Sequence, residues 1–278
     1  MFISKLFIYP VKSCAGVEVS TLEFDHSGPV GDRRFVIVNH DGDFLTQREL
    51  PQMAKIQPNL SSQYLRLSLL NGDNKASDVT ELSVDIRLRG KLSRVSVWRD
   101  EVLGHDCGDE AARWLSSVLE CECRLMQLPE NNTRRADPDY APDNVGVSYA
   151  DGFPLLIVSQ SSLDALSAQA GVEVDVRRFR PNIVIADAGE AYSELRWHML
   201  GLDDHAVNSD VLRMVKPCER CIIPTRNPDT LERSADVMQA LKDQCRINGR
   251  MIFGQNAVYN GTALTQGDVV SVMEWQSE

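Results

Sequence analysis

The sequence predicts a mainly β fold, barrel-like in character and with a few helices, arranged as two β-rich domains. Short runs rich in Val, Ile, Leu and aromatic residues recur at roughly ten-residue intervals. Helical periodicity appears in three segments, and one polar segment divides the chain near its middle. At 278 residues, the chain can bury one large hydrophobic core or two medium-sized ones, and we expect two domains.

The predicted strands follow from the apolar runs. Gly, Asp, Asn or Pro separates successive runs, as expected where strands are joined by turns. The even spacing is typical of barrels and sandwiches. We place strands near Phe2–Tyr9, Val17–Phe24, Arg34–Asn39, Tyr64–Leu70, Leu82–Ile86, Arg94–Trp98, Cys123–Leu128, Leu155–Val158, Asn182–Ala186, Val211–Val215 and Val269–Met273.

Three segments have the apolar spacing of a helix. One begins at Gly108 and runs to about Glu120, with its apolar residues on one face. The second, Ser159–Ala170, has capping serines and ends at Gly171, and the third is Ser234–Gln244. We predict a helix over each segment.

The segment Pro129–Asn144 is the best candidate for a domain boundary. It is rich in proline, asparagine and charge and has almost no apolar content. We therefore divide the chain into residues 1–128 and 129–278. Long loops in β proteins are often functional, so the same segment is also a candidate border of the active site.

Net charge and cysteine content exclude several classes of protein. With 40 acidic against 29 basic residues, the net charge is −11, which argues against a broad nucleic-acid-binding face. No apolar stretch reaches the ~20 residues needed to span a bilayer. The seven cysteines are scattered, which fits reduced thiols. We therefore expect a cytoplasmic protein that binds neither nucleic acid nor membrane.

Positive charge is nevertheless concentrated in a few short stretches. If several of them converge in the fold, they form a pocket for a small anion such as phosphate. Separate, solvated surface charges are the alternative for each stretch taken alone. The stretches are Lys12, Arg33-Arg34, Arg134-Arg135, Arg177-Arg178-Phe179-Arg180, and Lys216 with Arg220 and Arg226.

The run Lys216-Pro217-Cys218-Glu219-Arg220-Cys221 follows a predicted strand and carries two thiols. Its basic residues would stabilise a thiolate, the form of cysteine that binds metals. One interpretation is half of a zinc site, completed by Cys121 and Cys123. A second is two packed cysteines without chemistry. A third is one thiolate on a transition metal whose other ligands come from a cofactor.

Two further stretches have side chains suited to binding. The proline after Arg180 biases that residue toward an extended conformation at the start of a strand. The Asn182 amide suits the edge of a heterocycle. Lys12 and Ser13, together with Arg33, are the residue types that hold a terminal phosphate.

The ordered motifs of the chain resemble those of the MOSC family, in which an N-terminal MOSC β-barrel domain precedes the MOSC domain. That family includes the mitochondrial amidoxime-reducing component and bacterial relatives that reduce N-hydroxylated compounds. By this resemblance, residues 1–128 are the N-terminal β-barrel domain and residues 129–278 are the MOSC domain. The motifs are Tyr9-Pro10-Val11-Lys12-Ser13-Cys14, Asp32-Arg33, Phe179-Arg180-Pro181-Asn182-Ile183-Val184-Ile185 and Cys218-Glu219-Arg220-Cys221-Ile222.

The resemblance implies a molybdenum cofactor, in which molybdopterin carries the metal. Cys221 would be the metal ligand and a catalytic residue, with Cys218 beside it but off the metal. Asp151 matches an acidic position near the metal and is the second catalytic candidate, although a turn aspartate is the alternative. The phosphate would be held by Lys12, Ser13 and Arg33. The pterin would be contacted by Arg180, Asn182 and Arg220.

The implied activity is the two-electron reduction of an amidoxime, hydroxylamine or N-hydroxylated base to the amine, without pyridoxal phosphate. Such a reduction consumes protons, which gives the Asp151 carboxylate a role. After Cys221 the sequence has only Cys245, too few thiols for a four-cysteine iron–sulfur cluster. Electrons would therefore come from a separate donor protein. A cofactor carrier without turnover and a zinc-binding structural protein are the alternatives.

Overall fold

The computed structural model describes residues 1–70, 81–202 and 210–276, and strands predominate in these ranges. The strands are β1 (Phe2–Ile8), β2 (Val17–Val19), β3 (Thr21–Asp25), β4 (Gly28–Pro29), β5 (Phe35–Val38), β6 (Ile56–Leu60), β7 (Tyr64–Leu69), β8 (Glu81–Asp85), β9 (Leu92–Val97), β10 (Asp100–Asp106), β11 (Arg124–Gln127), β12 (Leu155–Ser159), β13 (Ile183–Ala186), β14 (Trp197–Leu202), β15 (Val211–Glu219), β16 (Arg246–Ile247), β17 (Arg250–Tyr259), β18 (Ala263–Thr265) and β19 (Val270–Trp275). The α-helices are α1 (Asp109–Leu119), α2 (Gln160–Ala170) and α3 (Ala235–Gln244). Short 3-10 helices span Pro51–Lys55, Val176–Arg178, Ser193–Arg196 and Ile223–Thr225.

The largest sheet in the described ranges has nine strands, in the order β19-β14-β15-β17-β12-β13-β1-β2, with β16 paired to β17. β1 is antiparallel to β13, whereas β12 and β13 are parallel and are connected through α2. A parallel pair needs such a crossover, because a tight turn cannot return the chain to the same end of the sheet. The smaller sheets are β5-β11-β10-β9, β18-β3-β4 and β6-β7-β8.

Hydrophobic clusters lie on both faces of the large sheet and beneath α1. Trp114 of α1 packs in a cluster with residues of β5, β7 and β8. Ile157 and Ile185 of the large sheet belong to a second cluster. Val158 and Val184, the alternate residues of the same strands, pack with α2 and α3 in a third. Because successive strand residues point to opposite faces, burial on both faces explains the continuous apolar runs of β12 and β13.

The predicted mainly β fold with a few helices is confirmed, and the three predicted helices correspond to α1, α2 and α3. Ser159 caps α2 by accepting a hydrogen bond from the Ser162 backbone N–H. Ser234 caps α3 in the same way with Val237. The α2 helix ends at Gly171, whose φ of 64° is easily adopted by glycine.

The structure divides one predicted strand and has strands that were not predicted, among them β6, β10, β14 and β17. The predicted run Val17–Phe24 is interrupted at Ser20, and its halves, β2 and β3, belong to different sheets. No strand was predicted over β17, because Gly254, Gln255 and Asn256 break its apolar alternation. Gln255 is nevertheless fully buried, and its Nε2 donates to the Leu195 carbonyl at 3.1 Å. Tertiary hydrogen bonding therefore supports a strand that local pattern does not predict.

The polar segment Pro129–Asn144 lies between β11 and β12, where Ala136 and Ala141 join a small apolar cluster with Val258 of β17. The large sheet combines β1 and β2 with strands from the second part of the chain. The division at residues 128 and 129 remains a prediction, as does the cytoplasmic location. Within residues 1–70, 81–202 and 210–276, no helix is long and apolar enough to cross a membrane.

Candidate active site

The eight residues that the sequence singles out line two adjoining cavities. The larger cavity has a volume of about 430 Å³ and the smaller about 100 Å³. The folded chain therefore brings together positions that lie up to two hundred residues apart in the sequence. Both cavities are lined by Arg33, Asp151, Arg180 and Cys221, while the smaller adds Lys12 and Ser13 and the larger adds Asn182 and Arg220.

The topology of the large sheet explains why these distant residues meet. β1 is antiparallel to β13, and Leu6 near its end pairs with Ile183 at the start of β13. β12 runs parallel to β13 and so begins at the same edge. Lys12 follows β1, Asn182 precedes β13 and Asp151 precedes β12, which places all three at this edge.

β17 connects this part of the sheet to the cysteine pair. Asn256 pairs with Leu156 of β12 on one side and with Lys216 of β15 on the other. Cys218 lies two residues beyond Lys216 near the end of β15, and Cys221 follows in the turn after that strand. The predicted placement of the two thiols at a strand end and in the next turn is confirmed.

The two thiols differ in exposure. Cys221 is exposed, and the Ile223 backbone N–H donates to its Sγ at 3.5 Å. Cys218 is half-buried, and burial raises the pKa of its thiol in spite of the opposing charge of Arg220. Because the thiolate is the form that binds metals, Cys221 is better placed than Cys218 to bind a metal from the cavity.

A buried lysine and an exposed aspartate form an ion pair at the cavity mouth. Lys12 Nζ donates to Asp151 Oδ1 at 2.5 Å and to the Tyr149 carbonyl at 2.8 Å. Trp98 Nε1 donates to the same Asp151 oxygen at 2.9 Å, and the Arg48 guanidinium lies 4.7 Å from the Trp98 ring. The sequence suggested no role for Trp98. This residue directly follows β9 in the N-terminal part of the chain, whereas Asp151 lies in the C-terminal part.

This pairing sets the protonation of both groups. Burial lowers the pKa of Lys12 to about 8, against the opposing effect of the Asp151 carboxylate. Desolvation alone would raise the pKa of Asp151. The charge and hydrogen bond of Lys12, together with the hydrogen bond from Trp98, outweigh this effect and hold the pKa below its ordinary range. Solvent screens part of this lowering, since the Asp151 side chain is 76% exposed. An anion that displaced Asp151 from Lys12 would let the pKa of Asp151 rise.

A hydrogen-bond network fixes Arg33. Its Nη1 donates to both carboxylate oxygens of Asp32 at 2.7 Å and to Asn182 Oδ1 at 3.1 Å. Asn182 Nδ2 donates to Asp32 Oδ1 at 3.1 Å and to the Phe7 carbonyl at 3.2 Å, while its Oδ1 also accepts from the Leu156 backbone N–H. The Asn182 amide is thus engaged with the protein, where it orients Arg33 and connects β1 to β12.

Two guanidinium groups stack on one buried tyrosine. The carbon centres of Arg33 and Arg180 each lie 4.3 Å from the centre of the Tyr9 ring. Such cation–π contacts partly offset the repulsion between two like charges. Burial lowers the pKa of Arg180 to about 10, and the charge of Arg33 adds to the effect. The Tyr9 hydroxyl donates to the Pro181 carbonyl at 3.0 Å, which holds the ring in place.

Three site residues have left-handed backbone conformations. The φ angles are 66° for Ser13, 45° for Arg33 and 56° for Arg180. The prediction that Pro181 holds Arg180 extended is therefore wrong. The hydrogen bond from Arg180 Nη1 to the Cys14 carbonyl and the stacking on the tyrosine outweigh the local preference. Backbone strain of this kind is maintained where surrounding contacts over-determine the conformation, often at binding sites.

Arg134 holds the loop that carries Asp151. Its side chain is 3% exposed, and its Nε pairs with Asp100 at 2.6 Å. The two terminal nitrogens donate to the carbonyls of Ser148, Ala150 and Asp151. In the sequence Arg134 was no more than part of a basic stretch. Its position in a polar loop does not indicate that its side chain donates hydrogen bonds to these three carbonyl groups.

Arg220 has one donor that the protein does not use. Its Nε donates to the Phe253 carbonyl at 2.9 Å and its Nη1 to the Phe179 carbonyl at 3.1 Å. The buried Nη2 has no hydrogen-bond partner among the residues that the structure describes. A buried N–H without a partner costs about 1–3 kcal/mol, so Arg220 is suited to donate to a ligand in the larger cavity.

Comparison with known proteins identifies the family. The MOSC N-terminal beta barrel domain matches residues 1–122, and the MOSC domain matches residues 144–271. Mitochondrial amidoxime reducing component 2 of Bos taurus is 32% identical over 238 residues, which cover 82% of this chain and 67% of that protein. The chain belongs to the MOSC-domain family.

Two further relatives extend the comparison of this MOSC-family chain. Human mitochondrial amidoxime-reducing component 1 is 30% identical over 270 residues, covering 92% of this chain and 76% of its own length. Molybdenum cofactor sulfurase of Drosophila grimshawi is 33% identical over 257 residues, covering 90% of this chain but 31% of the sulfurase. The matched part of the sulfurase is therefore a minor part of that protein.

Residues from both matched segments of this MOSC-family chain build the site. Lys12, Ser13 and Arg33 lie in the N-terminal beta barrel match, whereas Arg180 and Cys221 lie in the MOSC match. Both groups line the same smaller cavity. The cavity therefore depends on the two segments being packed together, as the shared large sheet requires.

The zinc interpretation of the cysteines finds no support in this arrangement. Cys123 is buried in the cluster beneath α1, with Cys121 packed against it. Cys218 and Cys221 instead line the larger cavity. In the three described ranges of the chain, no group of three or more His, Cys, Asp or Glu side chains is arranged to hold a metal ion. A structural zinc site needs four ligands.

Proposed function

We propose that this protein is a molybdenum-cofactor-dependent oxidoreductase that reduces N-hydroxylated compounds to amines. The observation that carries the proposal is the convergence of the exposed Cys221 thiol with Lys12, Arg33 and Arg180 on one pair of cavities. The names of the amidoxime-reducing relatives support the substrate class. In this proposal a separate donor protein supplies the electrons.

The chemistry of the cavity walls fits a molybdenum cofactor. A cysteine thiolate is a soft ligand suited to a transition metal, and ammonium and guanidinium groups are counterions for phosphate. The unpartnered Nη2 of Arg220 is available to an acceptor atom of the pterin. A volume of about 430 Å³ lies within the range of small-molecule sites.

Each site residue has a distinct role in this proposal. When bound, the cofactor supplies two-electron redox chemistry at its metal. Cys221 holds the metal, and Asn182 orients Arg33 through the hydrogen bond between them. The phosphate is held by Lys12, Ser13 and Arg33. The pterin is contacted by Arg180 and Arg220.

Asp151 is the group we assign to proton transfer. Its carboxylate lies at the solvent-exposed mouth of the cavity, held by Lys12 and Trp98. A phosphate bound to Lys12 weakens the ion pair, so the pKa of Asp151 rises and the carboxyl can take up a proton from solvent. The protonated carboxyl then donates to the hydroxyl oxygen of the substrate as the N–O bond breaks, and that oxygen leaves as water. Two electrons from the donor protein and a second proton from solvent complete the reduction to the amine.

Reduction of benzamidoxime tests the function. We expect protein loaded with molybdenum cofactor to convert benzamidoxime to benzamidine with reduced methyl viologen as the electron donor. In Asp151→Asn, kcat should fall at least about 100-fold, the usual effect of removing a general acid, with unchanged molybdenum content. Loaded protein that reduces neither amidoximes nor hydroxylamines would instead favour a cofactor carrier, which the similarity to the sulfurase supports.

Sulfate binding at the cofactor site of the cofactor-free protein should depend on the protonation of Lys12. The ammonium form binds the anion, and the pKa of Lys12 in the free protein is about 8. Below pH 8 Lys12 is already protonated, so the sulfate affinity should not change with its titration. Above pH 8 the sulfate affinity should fall about tenfold per pH unit, because the ammonium form is lost. Sulfate is chosen because it remains a dianion throughout.

Isothermal titration calorimetry over a pH series measures this dependence, and Lys12→Arg is the matched control. Arginine stays charged over the whole range, so the variant should bind sulfate with an affinity that does not change with pH. Equal pH dependence in wild type and Lys12→Arg would show that Lys12 does not hold the anion.

A further inference from the structure

A third cavity, of about 120 Å³, lies behind the wall formed by Arg180 and Ile223. We call it the side cavity. Both wall residues and Arg178 also line the larger cavity, but Lys12, Ser13 and Arg33 do not line the side cavity. Its further basic residues come from the 3-10 helix Val176–Arg178 and from the segment after Cys221. They are Arg177, Arg178 and Arg226.

The charges around the side cavity are unbalanced. Arg177 is neutralised, since it pairs with Asp175 and with Asp229. Arg178 and Arg226 have no carboxylate within 4.0 Å in the described ranges. Arg178 Nη1 donates to the Pro224 carbonyl at 3.3 Å, and Arg226 Nη1 donates to the Leu231 carbonyl. Arg180 donates to a carbonyl in the same way. Three guanidinium groups therefore line this space without an ion pair among the described residues, while the Asp229 carboxylate, which also lines it, is paired to Arg177.

Arg178 is the most strongly buried of the three. It is 6% exposed, and its Nε is buried without a hydrogen-bond partner among the described residues. Burial lowers the pKa of Arg178 even though Asp175 opposes the effect. A buried charge without a counterion is costly, whereas a hydrogen-bonded anion removes both the unpaired charge and the unpaired donor.

We propose that the side cavity binds a small oxyanion, as inorganic phosphate or as the phosphate group of a nucleotide, between Arg178 and Arg226. The planar guanidinium groups match the oxygen geometry of phosphate. Ala15, Ala54 and Ile223 supply small apolar walls that limit the space to a compact anion. This site is separate from the one that we assign to the cofactor phosphate, and it does not rest on the proposed activity.

Calorimetric titration of the cofactor-free full chain with inorganic phosphate tests the proposal. We expect two bound phosphates per wild-type chain. Arg226→Met should weaken binding at the side cavity at least about tenfold, and Arg226→Lys should restore part of it. Arg233→Met is the matched control, because Arg233 is exposed, pairs with Arg226 across an isolated β-bridge and does not line the cavity. Its phosphate affinity should stay within about twofold of wild type.

Lys12→Met separates the two sites. It should remove the phosphate of the cofactor site and keep the one in the side cavity. Arg178→Met should also lose the phosphate of the side cavity, and thermal unfolding shows whether this variant is folded. If it is unfolded, the test rests on Arg226→Met, which changes a less buried residue. Unchanged phosphate stoichiometry and affinity in folded Arg226→Met would overturn the proposal, as would the absence of any phosphate binding that survives Lys12→Met.

A nucleoside monophosphate distinguishes the two sources of the anion. If it displaces phosphate from Lys12→Met and binds at least about tenfold more tightly, the site takes the phosphate group of a larger ligand. If it binds no more tightly than phosphate, the site takes the free oxyanion. In both cases Arg226→Met must weaken binding, and a nucleotide affinity that is insensitive to this change contradicts the assignment.

Discussion

Cys221→Ala should lose nearly all of its molybdenum, whereas Cys218→Ala should keep most of it. Cys221 is exposed at the wall of both cavities, and alanine removes the protein thiolate from the metal. Loss of an outer partner of a metal ligand already costs about 10–100-fold in affinity, so loss of the ligand itself should cost more. Molybdenum is measured by elemental analysis of both variants after expression in a molybdenum-replete host.

Cys218→Ala is the matched control for this experiment. It changes the same atoms three residues away, in a half-buried thiol whose pKa is raised by burial. Both variants should unfold at temperatures close to that of wild type, because neither thiol is part of a large hydrophobic cluster. Equal molybdenum content in the two variants would contradict the assignment of Cys221 as the ligand.

Arg134→Met should destabilise the protein by about 3 kcal/mol. The substitution keeps much of the apolar volume but removes the donors to three buried carbonyls and the ion pair with Asp100. Asp100 is partly exposed, so its lost pairing contributes less than the unsatisfied carbonyl groups. Urea unfolding followed by circular dichroism measures the change in the free energy of unfolding.

Arg135→Met provides the control for this change, because it alters the adjacent exposed arginine with the same loss of charge. The Arg135 side chain donates to two nearby backbone carbonyls of its own loop. Its replacement should change the free energy of unfolding by less than about 0.5 kcal/mol. Similar stability of the two variants would show that Arg134 does not hold the loop that carries Asp151.

Local sequence accounts for much of the fold. The serine caps of α2 and α3 and the glycine after α2 are local signals, and the structure uses each as predicted. β17 was missed because its central Gly254-Gln255-Asn256 is polar, and its burial depends on strands far along the chain. Elements that depend on neighbouring residues, such as helix caps, can be predicted from the sequence. A strand that depends on tertiary pairing, such as β17, cannot.

The composition of the site was predictable, but its internal connections were not. Lys12, Arg180 and Cys221 lie in the motifs by which the chain resembles the MOSC family, and all three line the smaller cavity. The ion pair between Lys12 and Asp151 joins residues 139 positions apart, and no local signal indicates it. The Trp98 hydrogen bond to Asp151 likewise crosses from one β-rich part of the chain to the other.

The backbone of the site also departed from local preference. Ser13, Arg33 and Arg180 are all left-handed, although none is glycine. Arg33 and Arg180 share the Tyr9 ring as a stacking surface, which ties the N-terminal segment to the start of β13. This backbone strain is maintained by contacts that exist only in the folded chain. Conformational preferences of neighbouring residues therefore predict a different backbone conformation at these positions.

The molybdenum and pterin content of the purified wild-type chain shows whether this protein binds a molybdenum cofactor. Protein from a molybdenum-replete host should contain about one molybdenum atom per chain, with an equal amount of pterin released on denaturation, because each chain supplies one thiolate ligand, that of Cys221. Stoichiometric zinc, or a chain with neither molybdenum nor pterin from a host that loads other molybdenum enzymes, would show that the chain does not bind a molybdenum cofactor.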